Sequence, residues 1–595
     1  RNDIYIVLWT LLLVWSLWRF LESPRPRYAY IATVVLAFSF ATKELTYLVL
    51  LVLMSYLFLR VINDVSMTRK PSAEAWPRAI IGATTTTALG FWRLIRTPVK
   101  TWPPAATFFL LLLTLVMPLG AAASGMFQDR IGLVLTNPDP GAARQQGGVP
   151  ALAGPIGAPI SNGPGFASSL FDGFADVSGL QVANSSELES RQAPALSFVG
   201  LTLQAFDVAS FLVLGLLALS VVLGVVWWGK RWLIAGAIFW CTFAFLFTTA
   251  FNNWQGLASG VWQSLGYWIA QQEVARGGQP WYYYLALLST YEYLPLIVGV
   301  VTGAYLVRKR DPFGTFLSYW FLLTLAFQTY AGEKMPWLSI HLALPLILLS
   351  GRGLGLFTVD TWLRRGSFTQ RQAFIGWGAV AAVTVLGVTT FQSATRASFA
   401  NGDIPLEMLV YTQTSPSIAQ TVEEIERLAV ETEQGDGLPI TIDTMDGFGW
   451  PFYWYLRDFT AVEYRCLGSP GNCGAGARPL SDSQPTGRVI IVNGANELSA
   501  AAYIDGYGDG TRVPFRQWFA ETAYRGPDYA RGLTVMDILN GTIDLGAWSS
   551  IWDYWRVREA PLEIGKIDAV VYFPQDFDVV PLTSSAPGGP PPDRG

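Results

Sequence analysis

The groups best placed to do chemistry in this chain are a few charged side chains that sit beside long apolar runs. They are Asp3, Lys43, Glu44, Arg276, Glu333 and Lys334. An ion at membrane depth is costly to desolvate, so such groups line a cavity or pair with one another, and they mark substrate paths. The alternative for each is snorkelling to the interface or pairing at a helix end. With one histidine and three cysteines in 595 residues, there is no multi-histidine metal site and no histidine pair for acid–base work. Carboxylates, Lys, Arg and Tyr must carry the chemistry.

Three motifs hold these residues. Ala41-Thr42-Lys43-Glu44 places a lysine where two helical runs meet with no polar loop between them. A backbone turn at that depth needs protein around it, which predicts a broken helix and brings the ammonium to the level of lipid phosphates. The stretch 275–284 sets Arg276 before two glycines and a Trp/Tyr run, joining a phosphate-binding fork to an interfacial aromatic belt. An aromatic anchor with one loop arginine is the other reading. The stretch 329–341 gathers Glu333, Lys334, Trp337 and His341 at the start of a run, with His341 two turns beyond Lys334. Taken alone, His341 reads first as a hydrogen-bonded core histidine and second as a ligand.

Weaker signals lie elsewhere. Cys466 and Cys473 stand close together in a Gly/Pro loop, which fits a local disulfide if that part faces an oxidising compartment. Cys241 falls inside an apolar run, where it reads as packing. The cluster Trp450, Phe452, Tyr453, Trp454 and Tyr455 fits the buried face of a strand better than a platform for sugar rings. The triplets beginning at Asn184 and Asn540 match the glycosylation pattern, which is common by chance.

These residues must be positioned by a membrane scaffold. Only 14% of the chain is charged and 51% is hydrophobic, against roughly 25% charged in soluble domains. The apolar residues collect in runs at 4–20, 29–42, 45–61, 104–121, 207–228, 233–250, 292–307, 313–330, 336–350 and 374–391, of about the length that crosses a ~30 Å hydrocarbon core. About ten spans are therefore expected. A net charge of −4 gives no basic footprint for nucleic acid. Arg19, Arg25 and Arg27, the basic residues from Arg60 to Lys100, Lys230 and Arg231, Arg308 to Arg310, and Arg352 to Arg371 crowd one set of loops. The positive-inside rule assigns that set to the cytoplasm. The candidate residues then share the outer side.

This gives membrane helices over 1–121, an outer loop region over 122–206, and membrane helices over 207–391 with an outer loop at 251–291. A soluble extracytoplasmic α/β domain follows over 392–580, then a disordered tail at 581–595. An amphipathic helix from Ser417 to Thr432 and short apolar strands in the fourth segment suggest a partly parallel sheet. The chain opens on Arg1-Asn2-Asp3 directly before a span, which reads as a truncated sequence or as numbering that starts partway.

Taken together, residues 1–5, 40–44, 271–284 and 330–351 resemble the bacterial and archaeal flippase-activity-associated archaeal-glycosylation proteins. That family is similar to protein mannosyltransferases and aminoarabinose transferases of the glycosyltransferase C superfamily. The resemblance covers roughly 1–390. It implies a plasma-membrane, multi-pass transferase that takes a sugar from a polyprenyl-phosphate donor in the bilayer and passes it to a protein or glycan acceptor on the outer face. Lys43 matches the relatives' lysine near the donor phosphate. Lys334 falls in their cationic stretch, and Arg276 is a candidate for the same pocket. The acidic first-loop base or ligand of a divalent metal ion is expected upstream of Arg1, so no catalytic residue is assigned. Asp3, Glu44, Glu333, Trp337 and His341 remain as cavity candidates. The rival class is a non-catalytic membrane protein, either a translocation factor for lipid-linked sugars or a subunit of a larger membrane complex.

Overall fold

The computed structural model describes residues 2–66, 102–138, 155–160, 196–198, 201–272, 278–359, 369–402, 404–468, 487–501, 504, 506–525, 534–558 and 563–579. The chain divides into two compact units, Arg1–Leu288 with Leu294–Val383, and Ser289–Tyr293 with Thr384–Gly595.

The first unit is built from apolar helices: α1 (Asp3–Glu22), α2 (Pro26–Thr42), α3 (Thr46–Ser66), α4 (Pro104–Val116), α5 (Ala205–Trp228), α6 (Lys230–Phe247), α7 (Ser264–Gln271), α8 (Tyr283–Tyr291), α9 (Tyr293–Arg308), α10 (Pro312–Tyr330), α11 (Ile340–Phe357) and α12 (Gln370–Thr395). The ends of α8, α9 and α12 pass into the second unit. Pro26, Pro104 and Pro312 each open a helix, where the fixed φ of proline suits the first turn and its missing N–H costs nothing. The core of this unit runs through Leu13, Leu17 and Phe20 of α1, Ala29, Ala32 and Leu36 of α2, and Phe108 and Leu112 of α4. Trp232 of α6 ties two further helices together. Its indole donates to Thr114 Oγ1 of α4 at 2.9 Å and packs against Gly224 of α5.

All ten apolar runs are helical, but fewer of them meet the length and apolarity of a membrane span. Among the described residues six helices do, and up to eight if two sharply bent pairs each count as one span. Those pairs are Pro104–Val116 with Pro118–Ile131, and α8 with α9, bent by 69° and 107°. The remaining runs fall on α2, of 17 residues, and α10, of 19. The segments expected as outer loops also carry structure. Pro118–Ile131 is helical, Leu196–Phe198 (β1) pairs antiparallel with Leu201–Leu203 (β2), and α7 lies within 251–291.

The second unit carries a six-stranded mixed sheet in the order β3-β7-β8-β6-β4-β5, with β3 (Gln413–Thr414), β4 (Ile440–Asp443), β5 (Val462–Arg465), β6 (Val489–Asn493), β7 (Thr511–Trp518) and β8 (Gly565–Tyr572). β4 pairs parallel with β5 and β6, while the other pairings are antiparallel. Helix α13 (Pro416–Glu431), capped by Ser415, turns Ile418, Val422, Ile425, Leu428 and Ala429 onto the sheet. Their spacing of three to four residues makes one apolar face, and burying each Ile or Leu contributes roughly 1.5–3 kcal/mol. β6 is buried along its whole length, as expected for an inner strand with both faces covered.

The aromatic cluster at 450–455 is not a strand. Phe452–Tyr455 forms a single helical turn that buries Phe452 and leaves Trp450, Tyr453, Trp454 and Tyr455 exposed. A run of consecutive aromatics has no period of two to favour a half-buried strand, so Phe452 alone is drawn into the core.

Candidate functional site

The site forms where the first turn of α1, the gap between α2 and α3, and the start of α11 meet. α2 ends at Thr42 and α3 begins at Thr46, with extended backbone at Lys43. Side chains hold this break in place of a continuous helical ladder. Ser39 Oγ and Thr46 Oγ1 lie 2.8 Å apart across it, Thr46 Oγ1 donates to the Lys43 carbonyl at 2.9 Å, and the Trp9 indole donates to Thr42 Oγ1 at 3.1 Å. Polar backbone freed by the break is thus satisfied within protein, as a low-dielectric setting requires.

The break aims Lys43 at Asp3. Lys43 Nζ donates to Asp3 Oδ1 at 2.6 Å, short for a charge-assisted bond. His341 Nε2 stands 3.5 Å from the same oxygen, at the outer limit of hydrogen-bond range. The Asp3 side chain is 9% exposed and that of Lys43 is 24% exposed, so the carboxylate sits behind the ammonium and the ammonium reaches the open space.

That space is a cavity of about 470 Å³ lined by Asn2, Asp3, Thr42, Lys43, Glu44, Leu45, Leu48, Tyr267, Trp268, Gln272, Phe327, Gln328, Ala331, Glu333, Trp337 and Leu338. Part of its wall is apolar and aromatic, with Trp268 stacked on Phe327 at a centroid distance of 5.4 Å. Asp3, Lys43, Glu44 and Glu333 are its charged lining residues. An apolar wall with a few convergent polar groups is the usual character of a small-molecule site. Asp3, Lys43, Glu44, Glu333 and Trp337, which the sequence singles out, therefore line one cavity. His341 is buried and touches that cavity through Asp3.

Lys334 is placed differently. Its side chain is buried, and its ammonium donates to the Ala331 carbonyl at 2.7 Å. Among the described residues no carboxylate lies within ion-pair distance of it. Burial pushes its pKa below the ordinary lysine value, because desolvation penalises the charged form. The loop that holds it is pinned by Tyr284, whose hydroxyl accepts from Met335 N–H at 3.1 Å and donates to the Met335 carbonyl at 3.3 Å. Arg276 lies outside the described residues.

Four wall residues, Tyr267, Trp268, Gln272 and Gln328, carry no signal in the sequence beyond being aromatic or amide side chains near span ends. Two glycines bring α7, with Tyr267 and Trp268, close to residues 155–160. Gly157, at φ +78°, approaches the Tyr267 backbone so closely that a Cβ there would lie 2.2 Å from the Tyr267 nitrogen. A Cβ on Gly266 would lie 2.2 Å from the Gly157 carbonyl oxygen. Gln272 Oε1 accepts from Gly332 N–H at 3.1 Å, linking the end of α7 to the loop before Glu333.

Among the described residues no group of three or more His, Cys, Asp or Glu is placed to hold a metal ion, and Asp3 already faces a lysine. Cys241 is a free thiol; Cys466 is disulfide-bonded, and Cys473 lies outside the described residues.

Part of the chain is similar to two curated proteins of Pseudomonas fluorescens. One, from strain Pf0-1, is undecaprenyl phosphate-alpha-4-amino-4-deoxy-L-arabinose arabinosyl transferase 1, 30% identical over 147 residues, which are 24% of this chain and 24% of that protein. The other, from strain Pf-5, is undecaprenyl phosphate-alpha-4-amino-4-deoxy-L-arabinose arabinosyl transferase 2, 37% identical over 82 residues, 13% of this chain and 14% of that protein. The matched stretches thus span a quarter or less of these relatives, and the similarity supports the broad glycosyltransferase C superfamily without selecting a family within it. No family model matches the chain, and no solved structure matches it.

Proposed function

We propose that the protein is a membrane glycosyltransferase that takes a sugar from a polyprenyl-phosphate donor and passes it to an acceptor on the outer face of the plasma membrane. The membrane part of this reading rests on the apolar helices, and the transferase part on the partial similarity to the two arabinosyl transferases. Ten spans, an extracytoplasmic second unit and the narrower likeness to the archaeal-glycosylation proteins belong to the same proposal.

The observation that carries it is the Lys43–Asp3–His341 cluster at the cavity wall. Cleavage of the bond between the sugar's anomeric carbon and the phosphate oxygen leaves polyprenyl phosphate as an anion. A fixed ammonium in a poorly hydrated cleft stabilises that developing charge more strongly than water does, because the field is not screened and the donor needs no reorientation. Lys43 takes this role. Asp3 holds it from behind, with His341 Nε2 3.5 Å from the same carboxylate oxygen, so its position is set before the donor arrives. Glu44 and Glu333 are the wall carboxylates suited to accept the proton of the acceptor hydroxyl. Trp268 and Trp337 offer flat apolar faces to a sugar ring or to the first isoprene units. Arg276 and Lys334 are proposed as further cations for the donor phosphate, and Cys466 with Cys473 as a disulfide.

Equilibrium binding of a polyprenyl phosphate to the full chain in nanodiscs tests the assignment. Lys43→Ala is expected to weaken binding by about tenfold or more, the scale of one charge-assisted contact, with the melting temperature recorded alongside. Undiminished binding by a folded Lys43→Ala protein would remove Lys43 from the role.

A further inference from the structure

In the second unit, two consecutive helices, α14 (Val535–Gly541) and α15 (Leu545–Val557), carry an apolar surface that the described residues of that unit leave uncovered. Leu539, Ile543, Leu545, Trp548, Ile551 and Trp552 are each more than half exposed. On α15 they recur with helical spacing: Leu545, Trp548, Ile551, Trp552 and Trp555 fall on one stripe, while Ser550 and Asp553 fall on the other side. Thr534 and Asp537 form a capping box at the start of α14, Asp544 caps α15, and the Trp548 indole donates to the Thr542 carbonyl at 2.9 Å across the turn. The hairpin is therefore built to hold its shape while displaying large apolar side chains.

Its position within the unit says what covers it. The C-terminal end of α15 is bolted to the end of α12. Arg558 pairs with Glu407 at 2.9 Å and donates to Ser393 Oγ of α12 at 2.6 Å, and both charged side chains are buried. Arg396 donates to the Arg556 carbonyl. The Tyr554 hydroxyl donates to the Leu406 carbonyl at 3.2 Å, turning the third side of α15 inward. The helical stretch Gln370–Ala400 is long and apolar enough to cross a membrane, and only 6% of its apolar window is covered by protein. Counted from Phe374, just after Arg371 and Gln372, ~20 residues cross the ~30 Å hydrocarbon and end near Ser393. The apolar hairpin is thus fastened at the level where this span leaves the hydrocarbon, beside the exposed Phe391 and Phe399. Tryptophan-rich apolar stripes with a polar reverse side suit the headgroup boundary, where an amphipathic helix lies in the plane of the interface.

We propose that α14 and α15 form an interfacial arm that rests on the lipid bilayer at the end of α12, with the Leu545–Trp548–Ile551–Trp552 stripe in contact with lipid. The partner is the bilayer itself. The proposal does not depend on the transferase reading, because it uses only the second unit and its attached span.

The test uses the full chain in nanodiscs of phosphatidylcholine and phosphatidylglycerol, with Cys241→Ser to remove the free thiol. Single cysteines are introduced by Trp548→Cys, Ile551→Cys, Ser550→Cys or Asp553→Cys, spin-labelled, and read by power saturation against oxygen and a water-soluble nickel chelate. Oxygen collisions should dominate at 548 and 551, and the ratio should reverse at 550 and 553. Access by the nickel chelate at all four positions would overturn the proposal. Exclusion of both reagents from 548 and 551 would also overturn it, by showing that a protein surface covers the stripe. Should either substitution in α15 fail to fold, Leu539→Cys on α14 and Ile543→Cys in the turn between the helices carry the same expectation.

Discussion

Asp3 and Lys43 are separated by 40 positions in the chain and by 2.6 Å in the structure. One stands in the first turn of a helix, the other in the break between two, and the pair exists only because that break interrupts what would otherwise be continuous apolar helix. A mostly buried carboxylate compensates the ammonium while the cavity is free, and the ammonium keeps a face toward the cavity. An arriving phosphate therefore meets a cation whose geometry is already set. Its attraction is large because the surrounding wall is largely apolar.

His341 touches the cavity only through Asp3, so its removal should act on positioning. His341→Ala is expected to lower turnover by roughly 10- to 100-fold, the effect of a catalytic group displaced by about 1 Å. The apparent affinity for donor should change much less. His341→Gln, which keeps a nitrogen donor beside Asp3, should recover most of the rate. Equal losses in both variants would make His341 a packing residue.

Lys334 gives a pH-dependent prediction. Burial lowers its folded pKa beneath the ordinary 10.5, so the folded state binds this proton less tightly than the unfolded chain does. The contribution to stability is full above about pH 10.5 and is lost as pH falls through the lowered folded pKa. At neutral pH the charged, buried lysine is a net cost. Lys334→Met should melt above the wild type at pH 7, with the gap narrowing as pH approaches 10.5. Melting curves across that range check it, and a gap of opposite sign would contradict it.

The Glu407–Arg558 pair, buried on both sides, should be among the costliest single sites in the second unit. Arg558→Met strands the Glu407 carboxylate, and the expected destabilisation is about 3–5 kcal/mol. Exchanging both residues for apolar ones of similar volume should restore part of that loss. Thermal unfolding of the two variants decides whether the ion pair, rather than packing around it, is responsible.

Gly157 should tolerate no side chain. A Cβ would meet the backbone of α7 beside Tyr267, and the residue's φ of +78° is one that L side chains rarely adopt. Gly157→Ala is expected to cost ~1–3 kcal/mol and, by shifting Tyr267 and Trp268, to weaken donor binding as well. Unchanged binding in a destabilised variant would separate the fold from the cavity.

Much of this architecture was legible in the residues, and the misses have physical causes. Apolar runs announced the helices, because a run of about 15–22 largely apolar residues has the length of a helix crossing hydrocarbon. Among the described residues six helices, or up to eight with the two bent pairs, meet the length and apolarity of a span, and hydropathy does not report the sharp bends at Met117 and Glu292. Lys43 was legible as a break because no polar loop separates the adjoining runs. Its pairing with Asp3 was not, since salt-bridge partners 40 positions apart are set by packing. Tyr267, Trp268, Gln272 and Gln328 stayed hidden for the same reason: an aromatic or amide residue near a span end has no signature until the opposite wall is known. The aromatic run at 450–455 misled because composition indicated burial while the one-turn helix buries Phe452 and exposes its neighbours.

The most direct measurement follows the sugar. The full chain in vesicles is given a polyprenyl-phosphate donor labelled in the sugar together with an acceptor fraction, and free polyprenyl phosphate and labelled acceptor are quantified over time. The account predicts matched formation of both by the wild type and a loss of about 100-fold or more in Lys43→Ala at retained folding, the scale of removing a preorganised group that stabilises developing charge. Equal transfer by the wild type and by folded Lys43→Ala would contradict it, as would intact binding of the donor with no transfer to any acceptor.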